Sequence, residues 1–186
     1  ETDKIGGYVF TEKNGIVSME AEHFYAQENG NAGEWTTIPY MGRTLSGVAV
    51  MPYSLLPDGA TMTYKFNLTS DVDAVDVLIA VNSTLTFYRL EGHRYAVSID
   101  GGEEQIVNFN ERLNEDPANL YSIYYPTVAK RVVESKVKFP MQVSKGEHTL
   151  TVRPIEPGTV FEKIVVDCGG YKKSYLFMDE SPVIRE

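Results

Sequence analysis

The sequence predicts an all-β protein, an antiparallel sandwich of jelly-roll type. Three observations lead there. No stretch carries a convincing 3.6-residue apolar period. Short runs rich in Val, Ile, Thr and Tyr alternate instead with clusters of Gly, Pro, Asn and Asp. Residues 61–68 alternate strictly, with Met62, Tyr64, Phe66 and Leu68 on one face, the pattern of a half-buried strand.

Taken in order, residues 17–24 read as the first core strand, followed by a long loop through Asn29-Gly30-Asn31-Ala32-Gly33. A short strand is expected at 48–51 and the alternating one at 61–68. Residues 73–81 are almost continuously apolar, which places them in the centre of a sheet. Residues 94–99 and 105–108 flank Asp100-Gly101-Gly102, a strong hairpin signal. Residues 136–143 and 148–153 flank Ser144-Lys145-Gly146-Glu147 and are expected to form a second hairpin. The last core strand is 160–167, ended by Gly169-Gly170. Beyond it a tail carries Tyr175, Leu176 and Phe177, which can dock. Between them, 111–119 reads as loop, and 121–133 is compatible with helix or extended chain. With no internal repeat and 186 residues, one domain is expected, its core at about 15–170 and its tail at 171–186.

Composition excludes several function classes. The formal net charge is −9 and the pI about 4.9, a field that repels a phosphate backbone. Lys130-Arg131 and Lys172-Lys173 are isolated pairs, so nucleic acid is a poor partner. One cysteine, Cys168, rules out an internal disulfide and any Cys-based zinc site. In the run Ile164-Val165-Val166 ahead of Gly169-Gly170 it reads as a buried, inert thiol. His23, His93 and His148 have no motif around them. No apolar run approaches a membrane span, and no signal peptide is visible. The expectation is a secreted or periplasmic protein of bacterial type, with further sequence, including a removed export signal, ahead of Glu1. Asn67-Leu68-Thr69 and Asn82-Ser83-Thr84 match glycosylation acceptors but matter only in a eukaryotic secretory pathway.

Two stretches carry candidate chemistry. Glu20 and Glu22 stand two apart on a predicted strand, so both point to one face, about 7 Å apart. Such a pair needs a compensating charge. A calcium ion would supply it through several oxygen ligands at once, and a basic partner such as Arg43 or Lys163 is the simpler alternative. Two glutamates on one strand do not face each other across a cleft as a glycosidase pair must. The second stretch, residues 35–44, sets Trp35, Tyr40 and Arg43 in or beside a loop. An indole stacks on a pyranose ring and a guanidinium grips a carboxylate. Equally, Trp35 can plug one end of the sandwich while Arg43 neutralises Glu20 or Glu22. Tyr121, Tyr124 and Tyr125, with Tyr88 and Arg89 near them, form an aromatic cluster that can make a sugar platform, and closing a core edge is the favoured reading.

The Glu20-Ala21-Glu22 strand in a sandwich of this size resembles carbohydrate-binding modules of families 6 and 35, which share a galactose-binding-like fold. The resemblance implies a structural calcium held by Glu20 and Glu22 together with an acidic residue early in the last strand. Glu162 is the matching position, where Asp is usual. A closer resemblance runs through most of the chain. Residues 17–24, Trp35…Ile38-Pro39…Gly42-Arg43-Thr44…Ser46-Gly47-Val48, residues 94–101, Gly146-Glu147-His148-Thr149-Leu150, residues 157–170 and Ser174-Tyr175-Leu176 look like the C-terminal domain of glycoside hydrolase family 115. Family 115 enzymes are α-glucuronidases that remove glucuronic or 4-O-methylglucuronic acid from xylan, with catalytic residues in upstream domains. Around residues 125–131 this sequence departs from the family pattern, which has a Trp and an Asn there.

The resemblance implies a non-catalytic accessory domain that assists carbohydrate binding or dimer assembly. Its expected partners are glucuronic-acid-bearing xylan or another plant polysaccharide, an upstream catalytic domain and a second protomer. Trp35, Tyr40 and Arg43 are the candidate sugar contacts. The alternatives are a free-standing, calcium-containing carbohydrate-binding module using Glu20, Glu22 and Glu162, and a structural sandwich whose loops bind another protein.

Overall fold

The computed structural model describes residues 6–31, 33–39, 46–52, 55–82, 94–108, 132–170 and 179–185. These hold thirteen strands and no helix: β1 (Tyr8–Thr11), β2 (Ile16–Glu20), β3 (Ala26–Glu28), β4 (Glu34–Pro39), β5 (Ser46–Met51), β6 (Thr61–Leu68), β7 (Val75–Asn82), β8 (Arg94–Ile99), β9 (Gln105–Asn108), β10 (Val132–Phe139), β11 (Gly146–Pro154), β12 (Val160–Asp167) and β13 (Val183–Arg185). One sheet runs β13-β1-β6-β11-β8-β9, with β3 also on β6. The other runs β10-β7-β12-β5-β4, with β2 also on β12. All pairs are antiparallel except β1 with β6. The fold is the all-β sandwich the sequence predicts.

Alternation decides which face of each strand is wet. In β6 the buried residues are Met62, Tyr64, Phe66 and Leu68, and the intervening Thr, Lys and Asn are partly exposed. β7 lies between β10 and β12, so both of its edges are paired, and residues 77–81 are buried on both faces, as its apolar run requires. One cluster of buried side chains joins the two sheets, with Phe10, Trp35, Tyr64, Phe66, Tyr95 and Phe161 its bulkiest members. Tyr95 meets the edge of Phe161 at 5.4 Å between ring centres. At Asp100-Gly101 both residues have positive φ, 51° and 68°, which closes the predicted β8–β9 hairpin.

Several expectations are corrected. The second hairpin does not form: β10 pairs with β7 in one sheet, whereas β11 pairs with β6 and β8 in the other. Residues 140–145 therefore carry the chain from one sheet to the other, and Gly146 and Glu147 already belong to β11. β11 is tied to the first turn instead, through His148 Nδ1 on Asp100 Oδ2 at 2.6 Å. The strand expected at 17–24 stops at Glu20, because residues 21–22 turn toward β3. The core is also wider than 15–170. β1 precedes it, and β13 pairs with β1 through Tyr8↔Arg185, Val9↔Ile184 and Phe10↔Val183. Residues 109–131 and 171–178, with the clusters expected there, lie outside the described residues.

The flank of β12 is the point that positions the site. On one side β12 pairs with β7 throughout. On the other, β2 covers residues 163–167 and β5 takes over at Phe161↔Val48. At the handover β12 has a bulge between Phe161 and Lys163, so Phe161 and Ile164 both reach the core. Glu162 and Lys163 are left together on the outer face. Ala21, in the turn that leaves β2, donates its N–H to the Glu162 carbonyl at 3.0 Å. Its own carbonyl accepts the Tyr64 hydroxyl, which crosses the core from the opposite sheet at 2.8 Å. Burial pushes the Tyr64 pKa well above its ordinary value, so it remains a donor. Tyr64→Phe should cost about 1–3 kcal/mol in urea unfolding, with an unchanged denaturant slope, because a buried carbonyl loses its donor.

Candidate functional site

Glu20 ends β2 on the outer face of its sheet, opposite Lys163. Both side chains are almost fully buried, 4% and 2% exposed, and Lys163 Nζ stands 3.4 Å from Glu20 Oε1. Of the two basic groups the sequence offers the motif, Lys163 is in place beside Glu20, and Arg43 lies outside the described residues. Glu22 lies in the turn and not on the strand, so the two glutamates do not share a strand face. Its carboxylate accepts the hydroxyl of Ser46, the first residue of β5. Glu162 Oε1 lies 3.4 Å from Asn82 Nδ2.

Two further residues complete the corner. Glu180, from the segment preceding β13, accepts the Glu20 backbone N–H at 2.8 Å and His23 Nδ1 at 2.7 and 2.9 Å. His23 Nε2 is 3.9 Å from Glu22 Oε1, and the ring packs on Tyr8 at 4.8 Å. The bond from Glu180 raises the His23 pKa, burial opposes it, and the charges of Glu180, Glu22 and Glu20 add to the rise. Next in the chain, the Ser181 hydroxyl accepts the Ser18 N–H at 2.8 Å, and the Ser181 N–H donates to the Ser18 carbonyl. Neither His23 nor Glu180 stands out in the sequence. They are 157 residues apart, and no local spacing announces such a pair.

This corner is a set of carboxylates already engaged by internal donors. The calcium set inferred from the resemblance does not fit it. Glu20 faces an ammonium, Glu22 a hydroxyl and Glu162 an amide. Among the described residues no group of three or more His, Cys, Asp or Glu is arranged to hold a metal. An acid/base pair is not formed either, since Glu20 is buried against Lys163. A cavity of about 240 Å³ beside the corner is lined by Lys13, Asn14, Ile16, Ser18, Glu180 and Ser181, among others. No aromatic face from the described residues lines it to stack on a pyranose.

Trp35 is a second correction. It lies in β4, not in a loop, and is 1% exposed. Its indole N–H is shared between the carbonyls of Glu28 and Thr61 at 2.9 and 3.0 Å, and its ring tilts against Phe161. No ring face remains for a sugar, so of the two readings of Trp35 the core plug holds. Tyr40 and Arg43 lie outside the described residues. Cys168 is half-buried, and burial, with Glu12 and Asp167 nearby, pushes its thiol up to about 12, as an inert cysteine requires.

The model of the glycosyl hydrolase family 115 C-terminal domain matches residues 9–180. The chain belongs to that family. Its fold is similar to part of a family 115 4-O-methyl-α-glucuronidase with specificity for decorated arabinogalactans, with 18% identity and a TM-score of 0.53. The similarity covers 77% of this chain but 17% of that enzyme, so the family 115 domain spans under a fifth of its length. It is also similar to the C-terminal family 6 carbohydrate-binding module of a marine laminarinase from Zobellia galactanivorans. There the identity is 15%, the TM-score 0.51 and the coverage 82% of this chain and 98% of the module. A family 35 carbohydrate-binding module from Clostridium thermocellum matches at 10% identity and a TM-score of 0.52, over 81% and 96% of the two chains. No curated protein matches in sequence.

Two outcomes follow for the family 115 domain. Trp35 emission should be that of a buried indole and stay unchanged through a glucuronic acid titration, while Trp35→Ala should cost about 3–5 kcal/mol in stability. For His23 the folded pKa is raised, so its stabilisation is complete below the unfolded value of about 6.5 and lost as pH rises through the folded value. Protection of the Ser181 and Glu20 amides from hydrogen exchange should therefore fall as pH rises above the unfolded value and through the raised folded one, beyond the intrinsic rate change. His23→Gln should flatten that dependence.

Proposed function

We propose that this chain is a non-catalytic accessory domain of a larger, secreted or periplasmic α-glucuronidase of family 115. In this reading it helps to engage glucuronic-acid-bearing polysaccharide and to assemble the enzyme with its catalytic region and a second protomer. The family match over residues 9–180 carries the proposal, alongside the small share of the similar enzyme that the chain spans. The carboxylates of the Glu20 corner support it. They are held by internal partners and present no opposed pair across a cleft.

The substrate chemistry common to xylan and decorated arabinogalactan in this setting is a glucuronic acid side chain, an anion on a sugar ring. Trp35 is withdrawn as its contact. Tyr40 and Arg43, between β4 and β5, remain the proposed contacts, with Arg43 supplying a bidentate partner for the sugar carboxylate. Calorimetric titration with aldouronic acid from glucuronoxylan and with the matching neutral xylo-oligosaccharide tests this. Binding of the acidic sugar alone, weakened about tenfold or more by Arg43→Ala, is expected. Equal affinity for the neutral sugar would favour a general carbohydrate-binding module. Affinity for the catalytic region with none for either sugar would leave a purely structural, protein-binding sandwich.

A further inference from the structure

We infer that Lys163 serves as a built-in cation at the Glu20-Ala21-Glu22 corner, so that this corner holds its shape without a divalent metal. The lysine is 2% exposed and its Nζ faces Glu20 Oε1 at 3.4 Å, with Glu20 itself 4% exposed. A lysine is almost never buried so deeply unless it is paired, because its ammonium loses its hydration. The backbone is shaped to place it there. Strict alternation after Phe161 would turn Lys163 into the apolar core. The bulge at Glu162 shifts the register by one, so that Lys163 stands on the outer face opposite Glu20 while Ile164 takes the core position.

The oxygens that a hard cation would recruit are occupied from within. Calcium takes six to eight oxygen ligands, several of them carboxylates. Here Glu22 receives the Ser46 hydroxyl, and Glu180 receives His23 and the Glu20 N–H. A divalent ion added to this cluster would stand beside a buried ammonium and be repelled by it in a low-dielectric setting. The ammonium thus takes the place of the ion and fixes one register of β2 on β12, since a one-residue slip would separate Lys163 from Glu20.

Thermal unfolding of the 186-residue chain in EDTA and in millimolar calcium chloride tests the inference, with melting temperature as the readout. The two melts should coincide, because a ligand that does not bind the native state cannot raise it. Lys163→Met, close in volume but neutral, should melt roughly 10 °C lower, since it takes the facing ammonium away from a buried carboxylate. Glu20→Gln combined with Lys163→Met should recover much of that fall. Calcium raising the wild-type melt by several degrees overturns the inference. So does a Lys163→Met that melts with the wild type, or a double variant no more stable than the single one. Should Lys163→Met fail to fold, the wild-type melts and the double variant still decide it.

Discussion

The sandwich depends on how one edge of β12 is shared. That strand is the spine of its sheet, with β7 along one side and two successive strands, β2 and β5, along the other. A shared edge leaves a gap where one partner leaves and the next arrives, and backbone groups in a buried gap must find partners. The Ala21 N–H and the Glu162 carbonyl satisfy each other there, and Tyr64 reaches across the core to the remaining carbonyl. Three elements from both sheets are thus fixed to one another at Ala21, a residue with no exposed surface. A larger side chain at Ala21 would have no room.

The bulge on β12 has a chemical consequence as well as a geometric one. By sending Phe161 and Ile164 inward it keeps the aromatic group of Trp35, Phe161 and Tyr95 intact. By sending Lys163 outward it gives Glu20 its partner. Buried ion pairs add little net stability relative to apolar substitutes, because desolvation offsets attraction. What this pair supplies is specificity. The tail continues the same logic: Glu180 and Ser181 satisfy amides of β2, and β13 then pairs with β1.

Strands whose faces differ in chemistry were legible in the sequence. β6, β7, β8 and β12 announce themselves by alternation or by dense β-branched runs, and Asp100-Gly101 announces its hairpin. Pairing across the chain was not legible. Ser144-Lys145-Gly146-Glu147 has ordinary turn chemistry, yet the strands on either side join different sheets, a choice made by packing and not by local sequence. The short strands β1, β3 and β13 carry too few residues to show a period. At the site, the need of Glu20 for a cation could be read from its neighbours, and Lys163 was one of two candidates. Its placement rests on a bulge that leaves no local mark in sequence. The tail partners Glu180 and Ser181 are more than 150 residues from the amides they cap, beyond the reach of any motif.

The pairing of β1 with β13 puts Tyr8 directly across from Arg185, the first and last strand residues described. A tensile load applied between those two points would act on the same rung of a three-rung antiparallel ladder. It would open the rungs one after another, like a zipper, rather than shear them all together. β13 would therefore peel away under little force, exposing the flank of β1. The core strands β7, β11 and β12 would stay clasped, because no part of the load passes through them until that seam has opened.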